Sequence, residues 1–147
     1  MLFLRLPLLL LSLLFTSFSW AQIGDFTLAD WPKTQASLKP IYVKAIMEQA
    51  GVHKVSFKRD ADFYVAELDR FSAFVQEQNY RPYLKTSVAQ NLATIAVIHC
   101  DWGNGVPPLE FAQGYLGEKQ LELLKPLYGD AITKLENNCS DVSASLE

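Results

Sequence analysis

The sequence predicts an all-α protein: a single compact antiparallel bundle of four or five helices, following a cleaved signal peptide and closed by one disulfide. Three observations carry this expectation. Apolar residues recur at helical spacing from residue 37 onward, and the stretch 87–99 is apolar on nearly every face. The two cysteines, Cys100 and Cys139, fall at the tips of two expected helices.

The chain opens on MLFLRLPLLLLSLLFTSFSWAQ, with Arg5, an apolar run from Leu6 to Phe15, and a small-residue end at Ser19-Trp20-Ala21. These are the marks of a secretory signal peptide, so residues 1–21 are expected to be removed after Ala21. The rival reading, a retained membrane anchor, needs ~20 consecutive apolar residues, and this run breaks at Thr16-Ser17. Residues 22–147 then form one domain, large enough to bury a core of its own. The whole chain carries 13 basic and 16 acidic residues, a net charge of −3, and losing Arg5 leaves −4. A weakly acidic chain without a basic cluster lacks the footprint that nucleic acid or anionic lipid requires. The expected location is the periplasm or the extracellular space, with no stable membrane insertion after cleavage.

Residues 22–31 read as an extended lead-in, with a turn at Trp31-Pro32. The first helix is expected over 37–50: Ser37 caps it, Pro40 sits harmlessly in its first turn, and Gly51 ends it. Its inward stripe is Leu38, Ile41, Tyr42, Ala45, Ile46 and Gln49, leaving Lys39, Lys44 and Glu48 outward. VHKVSFKRD alternates like a strand but has no visible partner, so it is expected to be an extended connector.

The second helix is expected over 62–78, capped by Asp60 or Asp62, with Tyr64, Leu68, Phe71, Phe74 and Val75 inward. Glu67, Asp69, Arg70 and Glu77 face out, and Asn79 ends the helix in a left-handed conformation. Arg81-Pro82 then imposes an extended loop. The third helix, 87–99, starts with a Ser87/Gln90 capping box and belongs in the middle of the bundle. A fourth begins at Pro107-Pro108 and stops near Gly117; a fifth covers 118–138, with Leu121, Leu124, Tyr128, Ile132 and Leu135 in phase and a kink at Pro126. Short connections run these last three up, down and up, so the third and fifth helices end together and Cys100 can bond Cys139.

The stretch ATIAVIHCDWGNGVPP sets His99 beside Cys100, which suggests a thiol nucleophile with an imidazole base. Adjacent helical residues lie ~100° apart around the axis, and a bonded cysteine has no thiolate, so neither is expected to be catalytic. His53 and His99 lie too far apart for a zinc pattern, and Asp101 and Asn104 do not fit a calcium loop, whose oxygens would be replaced by Gly103 and Gly105. Those glycines with Asn104 suit a tight turn, with Trp102 packed over the disulfide. No phosphate loop, dinucleotide fingerprint, nucleophile elbow or metalloprotease run is present, so no cofactor or metal is expected and the chain reads as not an enzyme. Asn138-Cys139-Ser140 matches the glycosylation sequon, which matters only in a eukaryote.

Aromatic residues at loops remain: Trp31, His53, Phe57, Tyr80, Tyr83, Trp102 and Tyr115. Such residues anchor partners, and the preferred patch is Tyr80, Arg81 and Tyr83 with Trp102. The expected function is an exported, non-catalytic protein-binding domain, of the kind that inhibits a toxin or hydrolase or confers immunity to it, by analogy of size, compartment and helix content. The alternative is a small carrier holding an apolar ligand among Phe63, Phe71, Phe74 and Phe111. An enzyme without a recognisable motif comes third.

Overall fold

The computed structural model describes residues 26–52, 57–101 and 116–139. The signal segment, His53, Trp102, the Gly103–Gly105 turn, Phe111, Tyr115 and nearly all of the expected fourth helix lie outside them. Within them the protein is all-helical: a 3-10 turn, Trp31–Lys33, then α1 (Lys39–Val52), α2 (Ala61–Glu77), α3 (Arg81–Leu84), α4 (Val88–Ile98) and α5 (Glu118–Glu136).

Helix α4 is the axis of the bundle. Ser87 accepts from the Gln90 backbone at 3.1 Å while the Gln90 side chain accepts from the Ser87 backbone at 3.2 Å, which completes the expected capping box. Every residue from Asn91 to Ile98 is buried. The two polar ones are satisfied within the helix's own start: Asn91 donates to the Ser87 carbonyl and Thr94 to that of Gln90. Burial of Leu92, Ile95 and Ile98, all fully enclosed, stabilises the fold by roughly 1.5–3 kcal/mol each.

Around this axis pack α2 through Tyr64, Leu68, Phe71 and Val75, and α5 through Leu121, Leu124, Tyr128, Ile132 and Leu135. Asp60 caps α2, its carboxylate accepting from the Phe63 backbone at 2.9 Å. Pro126 interrupts α5, and the departure from helical geometry falls two residues on, at Tyr128 (φ −123°, ψ 28°). The lead-in is not free: the Leu28 N–H donates to the Thr86 carbonyl at 3.0 Å and the Val88 N–H to that of Phe26 at 2.8 Å. Trp31, expected at a loop, is fully buried. Its indole N–H donates to Asp69 at 2.8 Å, which also receives Lys39 at 2.6 Å. A buried indole needs such a partner.

Helix α1 corrects its expected phase. Ile41 is 61% exposed and Gln49 is exposed, whereas Val43 is fully buried and Lys39 is turned in over the Trp31 ring. Ile41, Tyr42, Val43, Ala45, Ile46 and Met47 place apolar groups on several faces, so spacing alone did not decide which face turns inward. Gly51 lies inside the helix, which runs to Val52. In α2, Glu67 is buried, not outward. The expected loop at Arg81-Pro82 is one turn of helix, because Tyr80 takes the non-helical step (ψ 77°) and Pro82 falls where a missing N–H costs nothing.

Three helices end in the same way. After α2, α4 and α5, Asn79 (φ 54°), Cys100 (φ 59°) and Asn138 (φ 51°) adopt the left-handed conformation. In each case that residue and the next return their N–H groups to the last turn, as in Asn79 to Gln76, Asp101 to Ala96 and Cys139 to Lys134. Asparagine tolerates this geometry; cysteine at Cys100, and again at Cys139 (φ 61°), costs about 1–2 kcal/mol each.

Candidate functional site

At the tip where α4 and α5 end lie two buried carboxylates, Glu67 and Asp101, beside the disulfide. His99, Cys100 and Asp101 are consecutive, yet each binds a different neighbour. Cys100 is bonded to Cys139, their Cα atoms 5.8 Å apart, as the meeting of the two helix ends predicted. Asp101, buried, accepts from the backbone N–H groups of Lys58 and Arg59, the latter at 3.2 Å, and from the Tyr64 hydroxyl. His99 Nε2 lies 2.9 Å from Glu67 Oε2, whose other oxygen receives Arg70 at 2.7 Å.

Burial sets the electrostatics of this tip. It pushes the His99 imidazole below its ordinary value, against the opposing pull of the Glu67 carboxylate. It raises the Tyr64 hydroxyl, which Asp101 raises further, and the Tyr128 hydroxyl, which Glu67 raises further. The His99 ring is held edge-on by Phe63 and Tyr128, with centroids at 5.2 and 5.3 Å. Arg59 lies over Phe63 and donates to the His99 carbonyl at 3.3 Å. This geometry turns His99 toward Glu67, while both sulfurs are consumed in the disulfide. A Cys100 nucleophile with a His99 base is therefore ruled out in the oxidised protein.

A small pocket of about 130 Å³ opens on the disulfide, bordered by Lys58, Arg59, Lys134 and His99. A larger groove of about 450 Å³ also borders His99, along the irregular part of α5, with Arg70 and Lys125 in its lining. Lys125 is paired with Glu122, which raises its pKa. Among the described residues no group of three or more His, Cys, Asp or Glu side chains could hold a metal ion.

The second region is the Tyr80–Tyr83 turn. Tyr80 is half-buried, its ring edge-on to Phe74 at 6.0 Å. Tyr83 packs on Phe71 at 5.5 Å and donates its hydroxyl to Gln120 of α5 at 2.6 Å; burial pushes its pKa up to about 12. Arg81 and Pro82 between them are exposed. Tyr80, Arg81 and Tyr83 thus share one helical turn, with Tyr80 at its N-cap, and Trp102 lies outside the described residues. Sequence reasoning missed Glu67 and Asp101 as buried acceptors. For Glu67 a signal existed, since positions 64, 67, 68 and 71 share one helical face.

No protein-family model matches the chain, and neither a curated protein nor a solved structure resembles it significantly. The reading of function therefore rests on this geometry.

Proposed function

We propose that the chain is an exported, non-catalytic protein-binding domain of the inhibitor or immunity type, which docks through the turn that carries Tyr80, Arg81 and Tyr83. One observation carries the reading. Both tyrosines are fixed from behind, by Phe74 and by Phe71 with Gln120, so that Arg81 is presented between them on a pre-ordered turn with no ion pair among the described residues. Aromatic side chains held in one geometry lose little entropy on binding, which is what anchor residues need, and the exposed Arg81 beside them offers a charge to a partner. The disulfide supports an oxidising compartment. No helix among the described residues is long and apolar enough to cross a membrane.

The carrier reading gains no such support. Phe71 packs on Tyr83 and Tyr128, Phe63 on Tyr64 and His99, and Phe74 on Tyr80, so these rings close the core on one another. The test places a photo-crosslinking amino acid at Pro82 and isolates adducts from the compartment where the protein resides. The expected result is one stoichiometric protein partner whose capture by the otherwise native chain is lost in Arg81→Glu, with the helical content unchanged. Undiminished capture by Arg81→Glu, or a co-purified lipid in native mass spectrometry with no protein adduct, overturns the reading.

A further inference from the structure

Residues 26–33 join the body of the protein in a way the helices do not. Thr27 forms an antiparallel bridge with Ser87: the Leu28 N–H donates to the Thr86 carbonyl at 3.0 Å and the Val88 N–H to that of Phe26 at 2.8 Å. The Ala29 N–H adds a bond to the Leu84 carbonyl at 3.2 Å. Leu28 and Trp31 fill pockets, both fully buried, and the indole N–H fixes the register on Asp69. Main-chain bonds to an extended segment, with pockets for a few of its side chains, are how domains take up a peptide strand. Here the peptide is the chain's own. Its tether to α1, residues 34–38, carries the exposed Gln35, Ala36 and Ser37 and turns back on itself through a 2.9 Å bond from the Leu38 N–H to the Gln35 carbonyl. When the segment lifts, the Val88 N–H joins the other first-turn donors of α4 that water satisfies, and Asp69 keeps Lys39 at 2.6 Å. No polar partner in the seat is stranded.

We propose that residues 26–33 are an exchangeable strap, and that the seat made by residues 84–88, Asp69 and the Leu28 and Trp31 pockets takes the same segment of a second copy of this chain, giving a reciprocally swapped dimer. Fit sets the occupant. A second copy brings the identical leucine, indole and extended backbone, so each contact broken within one chain is re-formed with the other. The tether sets the balance. A short flexible tether holds its own strap at an effective concentration in the millimolar range, so exchange needs protein at concentrations of that order. With its turn opened, the tether spans at most about 17 Å, which is the reach available to a neighbouring seat. This association is separate from docking at the Tyr80 turn, whose Arg81 and Pro82 stay exposed with the strap in place.

The experiment mixes a light-nitrogen full chain, with Thr27 replaced by a diazirine amino acid, with the native heavy-nitrogen chain, irradiates, and maps adducts by mass spectrometry. The expected result is adducts from position 27 to residues 84–88 of the heavy chain at millimolar protein, and to the same residues of its own chain at micromolar protein. Deleting Ala36 and Ser37 keeps the strap from its own seat and raises the heavy-chain share about tenfold at a given concentration. Adducts confined to the same chain at millimolar protein, or a dimer joined elsewhere while position 27 still reaches only its own chain, overturn the proposal. Native-state hydrogen exchange on the unaltered chain is the second measurement. The Leu28 and Ala29 amides and the Trp31 indole exchange together through an opening that leaves the amides of Ile95 to Ile98 protected. Exchange of the strap only on global unfolding overturns the proposal whatever the crosslinking variant does.

Discussion

Replacing both cysteines isolates what the crosslink contributes and what it strains. The bond closes a loop with a sequence separation of 39, for which chain entropy gives about 4 kcal/mol at 25 °C. Cys100→Ser/Cys139→Ser is therefore expected to lose about 4 kcal/mol, a large share of a typical ~5–15 kcal/mol stability, and about 15 °C in Tm. Serine keeps the left-handed strain at position 100, whereas glycine relieves it, so Cys100→Gly/Cys139→Ser should lose only about 3 kcal/mol. Urea unfolding followed by circular dichroism measures both, and the urea dependence should steepen in each variant because an uncrosslinked chain exposes more surface. Two results refute the reasoning: a serine variant within about 1 kcal/mol of the native protein, or a glycine variant no more stable than the serine one.

Two further outcomes follow from the same tip. Because burial holds the folded His99 imidazole below its ordinary value, the unfolded chain takes up the proton first. Stability should then fall as the pH drops below about 6.5 and level off once the folded value is passed. Urea unfolding at pH 7.5, 6.5 and 5.5 should show that loss, reduced in His99→Gln; a native protein that gains stability on acidification would falsify the assignment. Asp101→Asn replaces one accepting oxygen by a donor facing the Lys58 and Arg59 N–H groups and Tyr64, and should cost about 2–3 kcal/mol. Combined with Tyr64→Phe the losses should be less than additive, since both changes act on one network, and a double-mutant cycle reads this directly.

What the sequence disclosed and what it withheld divide along physical lines. Helix α4 was legible from end to end, because its capping box is local chemistry and its apolar content demands burial whatever the neighbours. The disulfide was legible from topology, since two helix ends that meet leave their cysteines adjacent. The phase of α1 was not, because Ile41 and Val43 are equally apolar and only packing against α2 decides which turns inward. Glu67 was misassigned on charge. Its position already placed it on the buried face, but its partners His99 and Arg70 become visible only once α2 and α4 are packed. The loop expected at Arg81-Pro82 is instead one turn of helix, because Tyr80 and not Arg81 takes the non-helical step before the proline.

The three consecutive residues at the end of α4 impose a rule on how the gene can change. His99 reaches Glu67, Cys100 reaches Cys139 and Asp101 reaches Lys58, Arg59 and Tyr64, so each depends on its neighbours keeping their place in the count. Inserting one codon directly after Ile98 would move all three residues one place along the chain and undo every one of those attachments together. Length variation among descendants of this chain should therefore avoid that tripeptide.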